Sequence, residues 1–224
     1  MFGMSRALGR FAVLASLVAL TIGTPAYAQE VTQSGEGTEP DRIRGLIRSV
    51  ENSSMAVKIG DGTTLNIALP QEVTVLTLTK ASFTDVDFGV YVGSVSTRLD
   101  AYSPIIRDSM SWLHEGFELR IFDEKLRGLA LGHTKWDLTS ESVMTHGWVD
   151  DLEVRILSIK YGPTEEEETD VDVPRDVPIL KLSIGDKSMI KPDAHVFAGA
   201  QKDPDGNYVA VFVIVGDDGI VPPL

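Results

Sequence analysis

The chain repeats itself, and the repeat limits the possible folds more than any other feature. Val75-Leu76-Thr77-Leu78 recurs as Ile179-Leu180-Lys181-Leu182, 104 residues on. At the same offset Pro70 falls on Pro174, Val73 on Val177, Phe88 on Pro192 and Val92 on Val196. Upstream, Ala56-Val57-Lys58-Ile59-Gly60 matches Ser158-Ile159-Lys160-Tyr161-Gly162 at an offset of 102. The difference predicts a hairpin two residues longer in the second copy, holding Glu165 to Glu168. Downstream, Gly116-Phe117-Glu118-Leu119 aligns with Gly206-Asn207-Tyr208-Val209 at an offset of 90. That leaves about 14 extra residues in the first copy, between Leu99 and Glu115. Any fold must therefore accommodate one unit twice.

The unit itself reads as strands. Leu46, Val50, Val57, Ile59, Leu65 and Ile67 lie in short alternating runs, and Asp61-Gly62 between two of them is a hairpin signal. Glycines and prolines punctuate the chain, and no helical periodicity survives beyond the first 28 residues. The class is all-β. Five or six short strands per unit, with connecting segments at Ala81–Phe88 and Gly185–Pro192, suit a small closed barrel of the OB type. Two tandem OB-like β-barrels are expected, over 42–122 and 146–224, joined by a linker over 123–145. A single β-sandwich shared by both halves is the alternative.

The N-terminus reads as an address. Arg6 and Arg10 precede an apolar stretch from Phe11 to Ile22, and Ala26-Tyr27-Ala28 is a small-x-small cleavage site. The stretch is too short to span a bilayer. Residues 1–28 are expected to be a bacterial signal peptide, cleaved after Ala28, giving a periplasmic or secreted product. Residues 29–41 (QEVTQSGEGTEPD) read as a disordered lead. No later segment is apolar enough for an integral membrane span. The 33 acidic against 20 basic residues argue against nucleic acid, whose phosphates demand Lys and Arg. Without cysteine there are no disulfides, no thiol chemistry and no thiolate metal site.

Certain phrases resemble bacterial exported proteins of unknown function built from tandem OB-like repeats. They are Gly45-Leu46-Ile47-Arg48-Ser49-Val50, Asp61-Gly62, Lys80-Ala81-Ser82 and Gly89-Val90-Tyr91-Val92-Gly93. The second half offers Gly185-Asp186-Lys187-Ser188 and Gly216-Asp217-Asp218-Gly219-Ile220-Val221. The linker Gly132-His133-Thr134-Lys135-Trp136-Asp137 is similar to a Gly-His-x-x-Trp-Asp element of those proteins. The resemblance implies an envelope location and makes His133, Trp136 and Asp137 candidate ligand-binding residues. The 99–115 insertion departs from it.

Aromatic, imidazole and thioether side chains cluster between Met110 and Trp148. All three Trp and three of four His fall there. Met110, Trp112 and His114 alternate, as do Met144, His146 and Trp148. Soft donors of this kind suit copper, so Met110, Trp112, His114, His133, Met144 and His146 form a candidate metal set. The bland reading is packing: a linker that docks two repeats must bury something. The acidic run Glu165–Glu168 reads as a solvated hairpin, and Asp203-Pro204-Asp205-Gly206-Asn207 as a β-turn. Ser188-Met189-Ile190-Lys191 matches a Ser-x-x-Lys pair without its partner motifs. The sequence therefore points to a non-enzymatic binding or scaffolding protein of the envelope, needing no identified cofactor. Its partner would be an envelope component or a small ligand. Copper-type metal binding and hydrolysis of an envelope polymer are the alternatives.

Overall fold

The computed structural model describes residues 39–99 and 112–222. The expected signal peptide, most of the lead, and Met110 lie outside them. The described chain is all-β, with thirteen strands and only short 3-10 turns. The first repeat supplies β1 (Asp41–Glu51), β2 (Ser54–Lys58), β3 (Thr64–Ala68), β4 (Thr74–Lys80), β5 (Tyr91–Arg98) and β6 (Leu113–Phe122). After β7 (Gly132–Lys135) the second repeat supplies β8 (Val143–Glu153), β9 (Ile156–Lys160), β10 (Glu168–Asp172), β11 (Ile179–Ile184), β12 (His195–Lys202) and β13 (Tyr208–Gly216).

The strands close two five-membered circuits. One runs β1-β2-β3-β13-β12 and returns to β1; the other runs β8-β9-β10-β6-β5 and returns to β8. In each, the third strand meets the last one in parallel, β3 with β13 and β10 with β6. Closure leaves no sheet edge on these strands. The pairing corrects two expectations. The sheet is neither a sandwich nor a tandem pair of barrels, because each barrel takes three strands from one repeat and two from the other. The ranges 42–122 and 146–224 bound repeats, not barrels. The exchange arises because β4 and β11 do not stay in their own barrels. They run alongside each other as an antiparallel pair between β13 and β6.

Register also corrects the last offset. Val92 faces Ile121 in the first repeat, and Val196 faces Val215 in the second. β13 therefore follows β6 at 94 residues (121 to 215), not 90. Bulges at Val95/Ser96 and Gly199/Ala200 fall at matching places and hold this alignment.

Three cores follow from the alternation of apolar residues. Ile47, Val57, Ile67 and Val213 fill the first barrel, and Val92, Leu119, Leu157 and Val171 fill the second. Leu76, Leu78, Leu180, Leu182, Tyr91, Phe122 and Phe197 form a seam between them. Two equivalent glycines make the closure possible. A Cβ on Gly45 would collide with the Lys58 carbonyl, and one on Gly147 with the Lys160 carbonyl. Only glycine lets the neighbouring strand pass so closely. The connecting segments are capped 3-10 turns, with Ser82 accepting from the Thr84 amide and Asp186 from the Ser188 amide. Asp61-Gly62 does form the β2–β3 turn, with Gly62 at φ 90°. Asp203 ties the β12–β13 turn by accepting from the amides of Asp205 and Asn207.

Candidate functional site

The linker binds both barrels. Trp136 packs on Phe197 with ring centres 6.0 Å apart, and the Arg42 guanidinium lies 4.2 Å over its ring. Asp137 accepts two hydrogen bonds from Arg44, both at 2.9 Å. That contact holds its carboxyl below the usual carboxylate range. Trp136 and Asp137 thus clasp the linker to β1 and β12. His133 lies apart from them, beside Thr145 of β8 in the β7–β8 pair. The three linker candidates do not form one site.

The metal set divides as well. Thr145 pairs with Ser94, and Gly147 and Val149 continue its face into the second barrel. Met144, His146 and Trp148 must then face the other way. His146 packs on Phe122 and Trp148 on Tyr91, both in the seam. Met144 is buried, and Trp112 is half exposed. His146 Nδ1 bonds to the Ala130 carbonyl at 3.0 Å, while its Nε2 is enclosed without a partner. Burial, reinforced by Arg120, lowers its pKa to about 4. Met144, His146 and Trp148 are thus packed against other residues, while Trp112 is not. His114 and His133 behave differently: their ring centres lie 6.1 Å apart at one mouth of the second barrel.

That mouth is built from polar side chains. β5 contributes Ser94 and Ser96, β6 His114, β7 His133, β8 Thr145 and the end of β9 Tyr161. Ser94, Ser96 and Thr145 are fully buried and His114 nearly so. Ser94 Oγ donates to the Glu118 carbonyl at 3.1 Å. Ser96 Oγ and His114 Nδ1 are hydrogen-bonded at 3.2 Å, and Thr145 Oγ1 and His133 Nδ1 at 2.8 Å. Tyr161 stacks on His133 with centres 5.1 Å apart. Burial holds both imidazoles below the ordinary histidine pKa; for His114, neighbouring His133 and Arg98 add to it and Asp170 opposes it.

The first barrel serves as the control. At the positions of Ser94, Ser96, His114, Thr145 and Tyr161 it carries Ala198, Ala200, Tyr208, Ile43 and Ile59. The same backbone accepts an almost wholly apolar filling there. Burying a hydroxyl or imidazole instead brings no gain in stability and costs free energy unless it is bonded. The polar set is therefore what distinguishes this mouth from its apolar counterpart in the first barrel. Part of it was legible in the sequence, where the offsets of 104 and 102 set Ser94, Ser96 and Thr145 against Ala198, Ala200 and Ile43; matching His114 to Tyr208 needs the strand register.

The Ser96–His114 contact has the composition of a nucleophile and its base. Ser96 is wholly buried, however, and among the described residues no carboxylate hydrogen-bonds His114. The outer rim of the same barrel is acidic: burial, with Asp150 and Asp170, raises the pKa of Glu168. A buried charged pair, Glu118 with Arg120, lies outside the barrel on β6, joined through Arg120 Nη2 to Glu118 Oε2 at 3.0 Å. Ser188 and Lys191 lie at a capped surface turn, which gives the Ser-x-x-Lys match no chemistry. Among the described residues no helix is long and apolar enough to cross a membrane, and no three His, Asp or Glu side chains converge. No protein-family model matches the chain, and neither a search of curated proteins nor one of solved structures finds a match.

Proposed function

We propose that the chain is an exported envelope protein, cleaved after Ala28, that binds a ligand at the polar mouth of the second barrel and does not transform it. The observation that carries this reading is the contrast between equivalent mouths, Ser94, Ser96, His114 and Thr145 against Ala198, Ala200, Tyr208 and Ile43. The first barrel's strand order, first-second-third-fifth-fourth with a parallel third–fifth contact, supports an OB-like description, and the second barrel has the same circuit circularly permuted. OB barrels commonly act as binding platforms. Glu165 to Glu168 and the net charge of −13 favour a neutral or cationic ligand over an anion. The N-terminal Arg-apolar-small pattern and the resemblance to exported repeat proteins support the location.

The test is an NMR titration of 15N-labelled residues 29–224 with cell-wall saccharide-peptide fragments, cationic peptides and metal ions. Perturbed amides are expected at Ser94, Ser96, Thr145 and Tyr161, with Ala198 and Ala200 unmoved. Shifts centred on the first barrel would overturn the assignment of the mouth. Location is checked by sequencing the protein from a periplasmic fraction, where the first residue should be Gln29.

A further inference from the structure

We infer that His114 and His133 form a two-coordinate seat for a cuprous ion at the mouth of the second barrel. This rests on the reading of that mouth as a binding site and names its occupant. Two observations converge. Each ring has its Nδ1 taken by a buried strand hydroxyl, Ser96 for His114 and Thr145 for His133. When Nδ1–H donates to that hydroxyl, the tautomer is set and the Nε2 lone pair is left as the donor to a metal. The spacing also fits. An ion about 2 Å from each Nε2, with the two nitrogens opposed, puts ring centres roughly 6 Å apart; the observed separation is 6.1 Å. A tetrahedral angle at the ion would draw the rings closer together.

The choice of ion follows from what accompanies the pair. Among the described residues no third His, Asp or Glu joins the two imidazoles. Zinc ordinarily takes four ligands, whereas calcium and magnesium want carboxylate and carbonyl oxygens. Copper(I) is the soft monovalent ion that two neutral imidazoles can satisfy. The first barrel has no counterpart, since Tyr208 stands where His114 does.

The experiment is an anaerobic titration of residues 29–224 with Cu(I) against a chromophoric Cu(I) chelator, with Zn(II) in parallel. One Cu(I) per chain is expected, held at least tenfold more tightly than Zn(II). His114→Gln and His133→Gln should each weaken it tenfold or more, and His195→Gln in the first barrel should leave it unchanged. X-ray absorption should show two nitrogen scatterers. Should a histidine variant fail to fold, Ser96→Ala and Thr145→Val, which keep both imidazoles, should still lower affinity several-fold by freeing Nδ1. No saturable Cu(I) uptake by the unsubstituted chain, or uptake indifferent to both histidines, overturns the inference. If saccharide or peptide fragments still perturb the mouth in that case, the cuprous seat fails and the binding mouth survives. If Cu(I) and every fragment leave the mouth unmoved, both fail.

Discussion

Leu78 and Leu182 occupy the same place in the two repeats and face each other across the β4–β11 pair, both buried. The local two-fold axis relating the halves passes between them. Truncating either to Ala should cost about 3 kcal/mol, because the seam loses apolar contact on both sides and a cavity remains. The double variant should cost less than the sum, since one cavity contains both sites. Urea unfolding followed by far-UV CD gives both numbers.

The exchange predicts how a divided chain behaves. Residues 29–128 and 129–224, co-expressed, should purify as a one-to-one complex, because each lacks strands that only the other supplies. Gel filtration reads the outcome. A first fragment that closes its own monomeric barrel would show that the exchange is not obligatory.

Gly45 and Gly147 should resist replacement. Gly45→Ala and Gly147→Ala push a methyl group into the Lys58 and Lys160 carbonyls, which backbone cannot evade cheaply. Each should lower stability by about 3 kcal/mol. Loss of the corresponding barrel's amide protection in hydrogen exchange would locate the damage.

His146 should make the protein acid-sensitive. Its folded pKa is about 4 against an ordinary 6.5. The unfolded chain therefore takes up a proton that the folded chain refuses. The stability held above pH 6.5 falls as pH drops towards 4, by up to about 3 kcal/mol. Melting temperatures of His146→Gln and the parent should converge over that window. A constant difference would show that the enclosed ring does not control the loss.

Val154 offers a stabilising change. It opens the β8–β9 turn at φ 57°, almost fully exposed, where the equivalent residue of the first repeat is Asn52 at φ 29°. A β-branched residue is strained there. Val154→Asn should raise stability by about 0.5–1 kcal/mol in thermal denaturation.

Much of the fold was legible because the offsets of 104 and 102 locate equivalent strands, and the extra hairpin residues fall where the offsets differ. The exchange was not legible. A repeat says which strands are alike, not which copy each one pairs with. The offset of 90 failed because Gly116-Phe117-Glu118 looks like Gly206-Asn207-Tyr208, while the bulges that decide the register leave no residue signature. In the candidate metal set, parity along β8 was decisive. Thr145 faces inward, so Met144 and His146 turn away from the barrel interior, and among the described members of the set His114 and His133 remain together.

The order of strands in the closed circuits also governs timing. The second barrel uses β5 to β10, a contiguous stretch nested inside the chain, whereas the first joins β1–β3 to β12–β13 from opposite ends. A chain made from its N-terminus can close the inner barrel while the outer one is still an open three-stranded sheet. Its parallel β3 edge stays unpaired until the last strand arrives, the slow, long-range closure of this molecule. The polar mouth is complete before the fold is.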